Sequence, residues 1–355
     1  MPNVAAPEKA GRCDLIYVDD AEPGFRRRRA GRGFFYDDAG GARIRDETTL
    51  ARIRAIAVPP GWTDVWICPD AAGHIQATGR DDRGRKQYRY HPAWTALRDQ
   101  AKFSSLAAFA RALPRLRRRV DADLRRRGAP GERVMASIVR LLDNSLIRVG
   151  NDAYARDNNS FGLTTLRARH VRLEGASLHF SFTGKSGKKW RLRLEDRRVA
   201  SVVRAIQDLP GQRLFRYIDE EGHGRDVHSQ DVNDYIRDAM GPEFTSKHFR
   251  TWGATVSAAL ALAALEVPET KREQAIALNR VLDEVAGMLR NTRTVCRRCY
   301  VHPAIVEAWR DGRLGAETGA ILRRRPRPLK GLDLGESTVL RWLSAQEDGD
   351  GPPPG

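Results

Sequence analysis

Cysteine is scarce in this sequence. The 355 residues include four cysteines, at positions 13, 68, 296 and 299, which are too few and too scattered for a framework of disulfide bonds. Cys296 and Cys299 form a CxxC pair with His302 close behind, but a zinc site of this kind needs a second ligand pair at a suitable spacing. We therefore expect reduced thiols packed in a helix, with no metal and no other cofactor.

Long apolar runs and common nucleotide-binding or metal-binding motifs are missing as well. No run reaches the roughly 20 residues of a membrane-spanning helix, and the opening MPNVAAPEKAGRC lacks the apolar core of a secretory signal. The sequence has no GxxxxGK[ST] loop, no HExxH pair and no paired-carboxylate pattern. Nucleotide hydrolysis and metalloprotease chemistry are therefore unsupported, and we expect a cytosolic protein.

Positive charge is abundant. Lysine and arginine number 62 against 45 acidic residues, a formal net charge of +17, which indicates a polyanionic partner. Nucleic acid is the first candidate and an anionic membrane surface the second. The length predicts two domains, and a hydrophobic content of 41% is enough to build a core in each.

The first hundred residues have the pattern of a small sheet domain. The run GFRRRRAGRGFFY, residues 24–36, is interpreted as a basic loop, either solvated or contacting phosphates. A short helical pattern, ETTLARIRAIAV, is followed by the strand-like pieces DVWICPD and HIQATGRD with turn residues between them. These patterns predict a sheet with one helix.

The segment GRDDRGRKQYRYHPAW, residues 79–94, closes this part of the chain. Here Gln87, Tyr88 and Tyr90 alternate with basic residues. Such a mixture suits a surface that contacts phosphates together with base edges or sugars. Strands also carry tyrosines simply for packing, so the segment is not decisive by itself.

Helical patterns dominate from about residue 97. Eight arginines lie between 111 and 127 and predict helices with a basic outer face, for which a solvated face is the simpler explanation. The helix ERVMASIVRLLDNSLIRVGN is predicted to stop near Gly150, with Arg148 at its C-terminal end. RARHVRLEG, ASLHFSFTGKSGKK and KWRLRLED then predict three antiparallel strands, with Lys185 at a hairpin tip.

A set of polar residues follows the predicted helices and their ends. Lys247 and Arg250 open one helix and Asn291 follows another. Tyr300 lies on a short helix that must end by His302, because Pro303 disfavours helical geometry in the residue before it. A tyrosine usually packs, and one that acts as a nucleophile needs cations nearby.

Several long motifs resemble, in order and spacing, those of the type IB DNA topoisomerases, specifically the compact bacterial branch related to the poxvirus enzymes. They are IRVGNDAYARDNNSFGLTTLRARHV, FTGKSGK, SKHFRTWGAT and NTRTVCRRCYVHPA, while GRDDRGRKQYRYHPAW resembles the N-terminal DNA-clamp segment of that branch. The resemblance extends from about residue 22 to 325.

The resemblance implies a role for each residue of the set. Tyr300 would be the nucleophile, Arg148 and Arg250 would bind the scissile phosphate, and Lys185 would be the general acid. Lys247 is a second lysine of the family pattern. Asn291 stands where many members have histidine, and it can donate a hydrogen bond but carries no charge. Arg290 replaces the usual glycine before it. The DNA-binding residues would be Gln87, Tyr88, Tyr90, Arg80 and Arg85.

The implied reaction is relaxation of supercoiled duplex DNA. One strand would be cut through a 3′-phosphotyrosyl link, would rotate and would be rejoined, with neither ATP nor metal. Guanidinium groups match a phosphate with paired hydrogen bonds, and a lysine ammonium can protonate the leaving alkoxide. The implied partner is double-stranded DNA, bound by a monomer in the cytoplasm at the nucleoid, with no membrane or nucleotide partner.

The patterns and the resemblance together predict an α+β fold in four parts. A flexible N-terminus spans 1–20, a DNA-clamp domain with a β-sheet spans 21–96, and a mostly α-helical catalytic domain with a three-stranded antiparallel sheet spans 97–345. A disordered tail spans 346–355.

Two other functions stay open at this stage. A tyrosine recombinase shares the fold and most of the catalytic set, but it usually carries histidine three residues before the helical arginine, where this chain has Lys247 and places His248 one position later. An architectural DNA-binding protein would need only the charge and the arginine runs. It would need no tyrosine at position 300.

Overall fold

The computed structural model describes residues 15–324, 326–347 and 349. The chain divides into two compact units between Ser104 and Ser105. Residues 1–14 of the predicted flexible N-terminus lie outside the described residues, as do 348 and 350–355 of the predicted disordered tail. Within the described part, no helix is both long and apolar enough to cross a membrane.

The N-terminal unit contains a five-stranded antiparallel sheet with the strand order β2-β1-β3-β4-β5. A small core on one side of it consists of Ile53, Val65, Ile67 and Ala77. The elements are β1 (Phe25–Ala30), β2 (Gly33–Asp37), α1 (Glu47–Ala55), β3 (Thr63–Ile67), β4 (Ile75–Arg80), β5 (Lys86–Tyr90) and α2 (Pro92–Ser104).

The basic run 24–36 forms the hairpin β1-β2, so the prediction of a loop was wrong. Gly31 turns the chain with a φ of +55°. Arg27 takes the place of an apolar inward-facing residue, because its guanidinium donates to the carbonyl oxygens of Val58, Pro59 and Trp62 and lies 4.2 Å from the ring of Phe34. The strand was not predicted because consecutive arginines in β1 replace the alternation of apolar and polar residues that usually identifies a strand.

Residues 15–20 belong to this unit and are hydrogen-bonded to its sheet region. Ile16 forms a parallel bridge with Gly73. The Asp20 carboxylate accepts hydrogen bonds from the Thr78 hydroxyl and the Lys86 ammonium, both at 2.8 Å. These bonds connect the segment to strands β4 and β5.

The C-terminal unit is mostly helical and carries the antiparallel sheet β6-β7-β8 and a short hairpin β9-β10. The α+β fold with these two parts is confirmed. The elements are α3 (Leu106–Asp123), α4 (Gly131–Ser145), α5 (Asp152–Asn158), β6 (Val171–Glu174), β7 (Ser177–Thr183), β8 (Lys189–Glu195), α6 (Arg197–Ile206), β9 (Arg216–Ile218), β10 (Gly224–Asp226), α7 (Ser229–Met240), α8 (Ser246–Ala263), α9 (Lys271–Leu289), α10 (Arg293–Cys299), α11 (Pro303–Arg310), α12 (Arg313–Arg323) and α13 (Leu334–Glu347).

Helix α8 lies at the centre of this unit. It packs against α3, α4, α7, α9, α11, α12 and α13. Alanine and other small residues along KHFRTWGATVSAALALA let the neighbouring helices approach it closely. Its polar residues at 247 and 250 are therefore fixed by packing along the whole helix.

A partly buried ion-pair network connects the C-terminal helix α13 to α3, α4 and α8. Arg117 donates to both carboxylate oxygens of Asp143 and of Glu336 at 2.7–2.9 Å. Glu336 also accepts the Trp252 indole N–H at 3.1 Å. Burial alone would raise the pKa of Glu336, but Arg117 outweighs it, so the pKa lies below its ordinary value.

We expect Glu336→Gln to lower the free energy of unfolding by about 2 kcal/mol near pH 7, since it leaves part of the charge of the partly buried Arg117 uncompensated while Asp143 stays bonded to it. Because the folded-state pKa of Glu336 is depressed, its contribution is present above the unfolded value of 4.5 and is lost as the pH falls through the folded value. Urea unfolding from pH 7 to pH 3 should therefore show the difference from wild type shrinking in acid.

Glu284→Gln is the matched control, because Glu284 forms an exposed pair with Arg280 at 3.7 Å. It should change the unfolding free energy by less than about 1 kcal/mol at every pH. Equal losses for the two variants would contradict the assigned role of Glu336.

Candidate active site

Arg148 lies in an extended segment beyond helix α4. The prediction that it occupies the end of that helix was wrong, because α4 ends at Ser145 and Leu146 adopts the left-handed conformation with a φ of +56°. Tertiary contacts stop the helix there. The Leu146 carbonyl accepts a hydrogen bond from Arg250, and a Cβ added at Gly253 would lie 2.7 Å from the Leu146 side chain.

Two glycines let the Arg148 segment pack directly against a second backbone segment. The Leu163 amide donates to the Arg148 carbonyl at 3.0 Å, and the Thr164 amide donates to the Val149 carbonyl at 2.7 Å. A Cβ at Gly162 would meet the Arg148 carbonyl oxygen at 2.6 Å, and Gly150 has a φ of +117°. The close approach therefore requires both glycines.

Arg250 is the most buried cation of the site, with 3% of its surface exposed. Its Nη1 and Nη2 donate to the carbonyl oxygens of Leu146 and Leu289, the latter at 2.8 Å. Burial, and then the charge of Arg148, lower the pKa of Arg250 to about 10. Its Nε is buried and has no hydrogen-bond acceptor within the described part of the chain, so the side chain can still donate to an anion.

Asn291 is held beside Arg148. The Arg148 Nη2 donates to Asn291 Oδ1 at 2.8 Å. Arg290, where the family pattern has glycine, adopts the left-handed conformation with a φ of +51° and caps α9, so the turn forms despite the substitution. Asn291 Nδ2 is buried, and its hydrogen bond to the phenol is among those that lower the pKa of Tyr300. It is a second donor suited to an anion.

Tyr300 ends the short helix α10, as the sequence predicts for the residues before Pro303. The Cζ of Arg250 lies 5.2 Å from the centre of its ring. Burial raises the pKa of the phenol, but the charges of Arg250 and Arg148 and the hydrogen bonds from Arg250 and Asn291 outweigh it, so the pKa lies below its ordinary value. The surroundings thus favour the phenolate, which is the nucleophilic form.

Lys185 occupies a single 3-10 turn, Lys185–Gly187, at the tip of the β7-β8 hairpin, as predicted. The Ser160 hydroxyl donates to the Gly184 carbonyl at 2.9 Å, which connects the tip to the loop that follows α5. The Lys185 ammonium lies 5.9 Å from the ring centre of Tyr154. Lys247 lies in the first turn of α8.

One cavity of about 300 Å³ unites these side chains. Five of the six predicted catalytic residues line it, and Asn291 joins them through Arg148. Several other lining residues have no role predicted from the sequence, although the two glycines within one motif were an available signal. The lining residues are Arg148, Val149, Gly150, Asn151, Tyr154, Ser160, Phe161, Gly162, Lys185, Ser246, Lys247, Arg250 and Tyr300.

The CxxC cysteines lie on α10. Cys296 is buried, and burial raises the pKa of its thiol to about 11. His302 accepts the Ala304 amide at 3.2 Å as the N-cap of α11. Among the described residues, the group of side chains close enough together to hold a metal ion lies on the β9-β10 hairpin, at Asp219, Glu221 and His223, and does not include the CxxC pair.

The five predicted DNA-binding residues lie on the edge strand β5 of the N-terminal unit or directly beside it. Tyr88 and Tyr90 stack on one face with ring centres 5.7 Å apart, and they are 41% and 38% exposed. Arg80 pairs with Lys86 across the strands and shares that face. Gln87 lies on the opposite face and donates to Asp81 at 2.9 Å, while Arg85 forms an ion pair with Asp81 at 2.6 Å. The structure thus separates Gln87 from the tyrosines.

The arrangement in the C-terminal unit fits a phosphodiester. Two guanidinium groups, two ammonium groups and an amide surround a phenol whose pKa is lowered. Preorganised donors of this kind stabilise negative charge that develops on phosphate oxygens. A nearby phenolate can form an ester with phosphorus.

Comparison with known proteins gives two family matches. Residues 91–316 match the model described as eukaryotic DNA topoisomerase I, catalytic core, and residues 33–81 match the model described as bacterial DNA topoisomerase IB, N-terminal domain. The chain is 31% identical over 269 residues to DNA topoisomerase 1B of Acanthamoeba polyphaga mimivirus, covering 74% of this chain and 80% of that protein. It is 24% identical over 178 residues to DNA topoisomerase 1 of Mycosarcoma maydis, covering 45% of this chain and 17% of that protein.

We expect the Tyr300 phenol to titrate below the ordinary tyrosine value. The absorbance at 295 nm of wild type minus that of Tyr300→Phe isolates this phenol. Its midpoint should rise when Arg148→Ala is introduced into both proteins, because one of the charges that stabilise the phenolate is lost. Arg280→Ala, at an exposed arginine on α9, is the control and should leave the midpoint unchanged. A wild-type midpoint at or above that of free tyrosine would contradict the proposed electrostatics.

Proposed function

Because the chain belongs to the type IB DNA topoisomerase family, we propose that Tyr300 is the residue through which this DNA topoisomerase cuts and rejoins one DNA strand. The observation that carries the proposal is the cavity in which this phenol lies with Arg148, Arg250, Lys185 and Lys247. The lowered pKa of the phenol supports it further.

The proposed step exchanges one phosphoester for another. The deprotonated Oη of Tyr300 attacks phosphorus and forms a P–O bond as the bond from phosphorus to the 5′ oxygen breaks. The 5′ oxygen leaves with a proton from Lys185, and the 3′ end stays attached to Tyr300. Rejoining reverses each of these changes. Because the ester is conserved, the cycle needs no ATP.

The charged neighbours have separate roles in this proposal. Arg148 and Arg250 donate to the nonbridging oxygens, on which charge accumulates in the transition state. Asn291 adds a neutral donor, and its hydrogen bond to the Tyr300 phenol supports a place beside the attacking oxygen. Lys247 places a further cation at the start of α8.

Lys185 is suited to protonate the leaving oxygen because it lies at the tip of a hairpin and lines the same cavity as the phenol. Leaving-group protonation by a positioned side chain commonly accounts for a factor of about 10²–10⁴ in rate. Ser160 holds the hairpin tip through the Gly184 carbonyl. The general acid thereby keeps a defined place beside the cavity.

We propose that the N-terminal unit is the clamp domain and binds the same duplex through the β5 face. The stacked and exposed Tyr88 and Tyr90 can contact sugars or base edges, while Arg80 on that face contacts phosphate. Arg85 and Gln87 both bind Asp81, so we assign them to holding the β4-β5 turn in shape as well as to DNA.

The proposed working form is a monomer that acts on duplex DNA at the nucleoid, in the cytoplasm. One chain supplies all the side chains of the cavity, which supports a monomer. Relaxation takes place by rotation of the cut strand before rejoining. We propose this reaction in place of recombination, because Lys247 holds the position that recombinases usually give to histidine and the N-terminal residues match a topoisomerase domain.

Tyr300→Phe should abolish relaxation of supercoiled plasmid in EDTA without ATP, because phenylalanine has no oxygen with which to form the ester. Wild type should relax the plasmid under these conditions and leave a covalent adduct on denaturation. Peptide mapping of that adduct should place the DNA on Tyr300. Tyr217→Phe, a tyrosine on strand β9, serves as the control and should retain activity. An adduct on another residue, or none at all, would refute the proposal.

Tyr88→Ala and Tyr90→Ala should each weaken noncovalent binding of a short duplex by on the order of tenfold, since each removes a stacking or sugar contact. The slope of affinity against salt should stay close to that of wild type, because neither residue is charged. Arg80→Ala should instead reduce the slope. Unchanged affinity for both tyrosine variants across the salt series would contradict the proposed binding face.

A further inference from the structure

The hydroxyl of Thr255 connects helix α8 to the backbone on both sides of Val301. Its Oγ1 donates to the Tyr300 carbonyl at 3.1 Å and accepts the His302 amide at 3.2 Å. Thr255 is fully buried. It is the last residue of the motif SKHFRTWGAT, but the family resemblance implies no role for it, and it is not among the residues that line the cavity.

The direction of these bonds is unusual for a threonine within a helix. Such a hydroxyl commonly donates to the carbonyl four residues earlier in its own helix. Thr338 does so in α13, where its Oγ1 donates to the Leu334 carbonyl at 2.8 Å, and it too is fully buried. The bonds of Thr255 lead to a different element, the break between α10 and α11.

That break needs bonding partners because both adjoining helices end there. The amides of Tyr300 and Val301 donate to the Cys296 carbonyl at 2.9 Å and 3.3 Å, which holds the side towards α10. The Tyr300 carbonyl and the His302 amide have left the helical ladder of α10. Thr255 bonds both of them. A buried backbone N–H or C=O group left without a hydrogen bond would lower the free energy of unfolding by about 1–3 kcal/mol.

Helix α8 therefore positions both the Arg250 cation and the Tyr300 phenol, which the proposed reaction requires. Arg250 lies on it with its Cζ 5.2 Å from the centre of the Tyr300 ring. Thr255 follows on the same helix and anchors the Tyr300 backbone. The distance between the Arg250 cation and the Tyr300 phenol is thus set by helix α8 and by the hydroxyl of Thr255.

We propose that Thr255 is a positioning residue that keeps the Tyr300 phenol against Arg250 and in line with the scissile phosphorus. This inference rests on the proposed role of Tyr300 as nucleophile. Valine matches threonine in shape but offers neither bond. Thr255→Val thus lets the backbone at 300–302 relax, and the phenol loses its alignment while the DNA-binding surfaces stay intact.

The test compares Thr255→Val, Thr255→Ser and the control Thr338→Val. Single-turnover cleavage is followed on a short duplex from which the fragment that carries the new 5′ hydroxyl dissociates, and binding and urea unfolding are measured in parallel. We expect Thr255→Val to slow cleavage by on the order of 10- to 100-fold, since small misplacement of a reacting group has effects of this size. Duplex affinity should stay within about threefold of wild type.

Serine keeps the hydroxyl, so Thr255→Ser should cleave within about threefold of the wild-type rate. Thr338→Val makes the same chemical change at equal burial, and among the described residues the Thr338 hydroxyl bonds to a carbonyl of its own helix. It should cleave at the wild-type rate whatever stability it loses. Cleavage by Thr255→Val at the rate of Thr338→Val, or equal slowing of the serine and valine variants, overturns the proposal.

The titration of Tyr300 gives a readout that lost stability alone would not move. In Thr255→Val the midpoint should rise, because the phenol lies farther from Arg250, while in Thr338→Val it should equal that of wild type. An unchanged midpoint in Thr255→Val overturns the proposal. If this variant does not fold, Thr255→Cys, whose thiol is of similar size but bonds weakly, is measured in the same two ways under the same criteria.

The outcome is separable from that of the proposed function. If wild type forms no adduct at Tyr300, the proposed function itself fails. If wild type forms the adduct and Thr255→Val forms it equally fast, only the role of Thr255 fails.

Discussion

The hydrogen bonds of one buried guanidinium organise the whole site. Arg250 donates to the carbonyls of Leu146 and Leu289, at the C-terminal ends of α4 and α9. The partial negative charge of helix C-termini compensates its buried charge. Arg148 and Asn291 each follow two residues after one of these carbonyls, and they meet at 2.8 Å. Two helix ends and one cation on a third helix thus bring together residues far apart in sequence.

The same arrangement accounts for the reactivity of Tyr300. Cations with few acceptors around them stabilise an anion wherever one can form. The phenol is the nearest such group, and its pKa is lowered although its burial opposes this. Arg250 Nε remains a buried donor without an acceptor among the described residues. Native proteins seldom leave such a group unsatisfied, and we infer that a phosphate oxygen of the proposed substrate satisfies it.

Prediction from sequence succeeded where one pattern dominated. Alternating residues identified β6, β7 and β8, and helical spacing identified α8 and α9, which carry or precede three of the proposed catalytic residues. It failed where tertiary contacts replaced the usual pattern. Arg27 faces inward in β1 because backbone carbonyls accept its donors. Likewise, Arg117 belongs to the basic run 111–127 but binds two partly buried carboxylates instead of forming part of an outer basic face.

The sequence by itself determined which reactive and charged side chains the protein has. Its charge, the tyrosine of the motif NTRTVCRRCYVHPA and the order of its motifs indicated a family and a set of residue types, because motifs encode local geometry and side-chain identity directly. Only the tertiary structure decided which groups meet. The end of α4 at Ser145, the left-handed turn at Arg290 and the bonds of Thr255 to the Tyr300 backbone depend on contacts between distant segments. Local patterns contain no record of such contacts, because the free energy that selects them appears only when the helices pack.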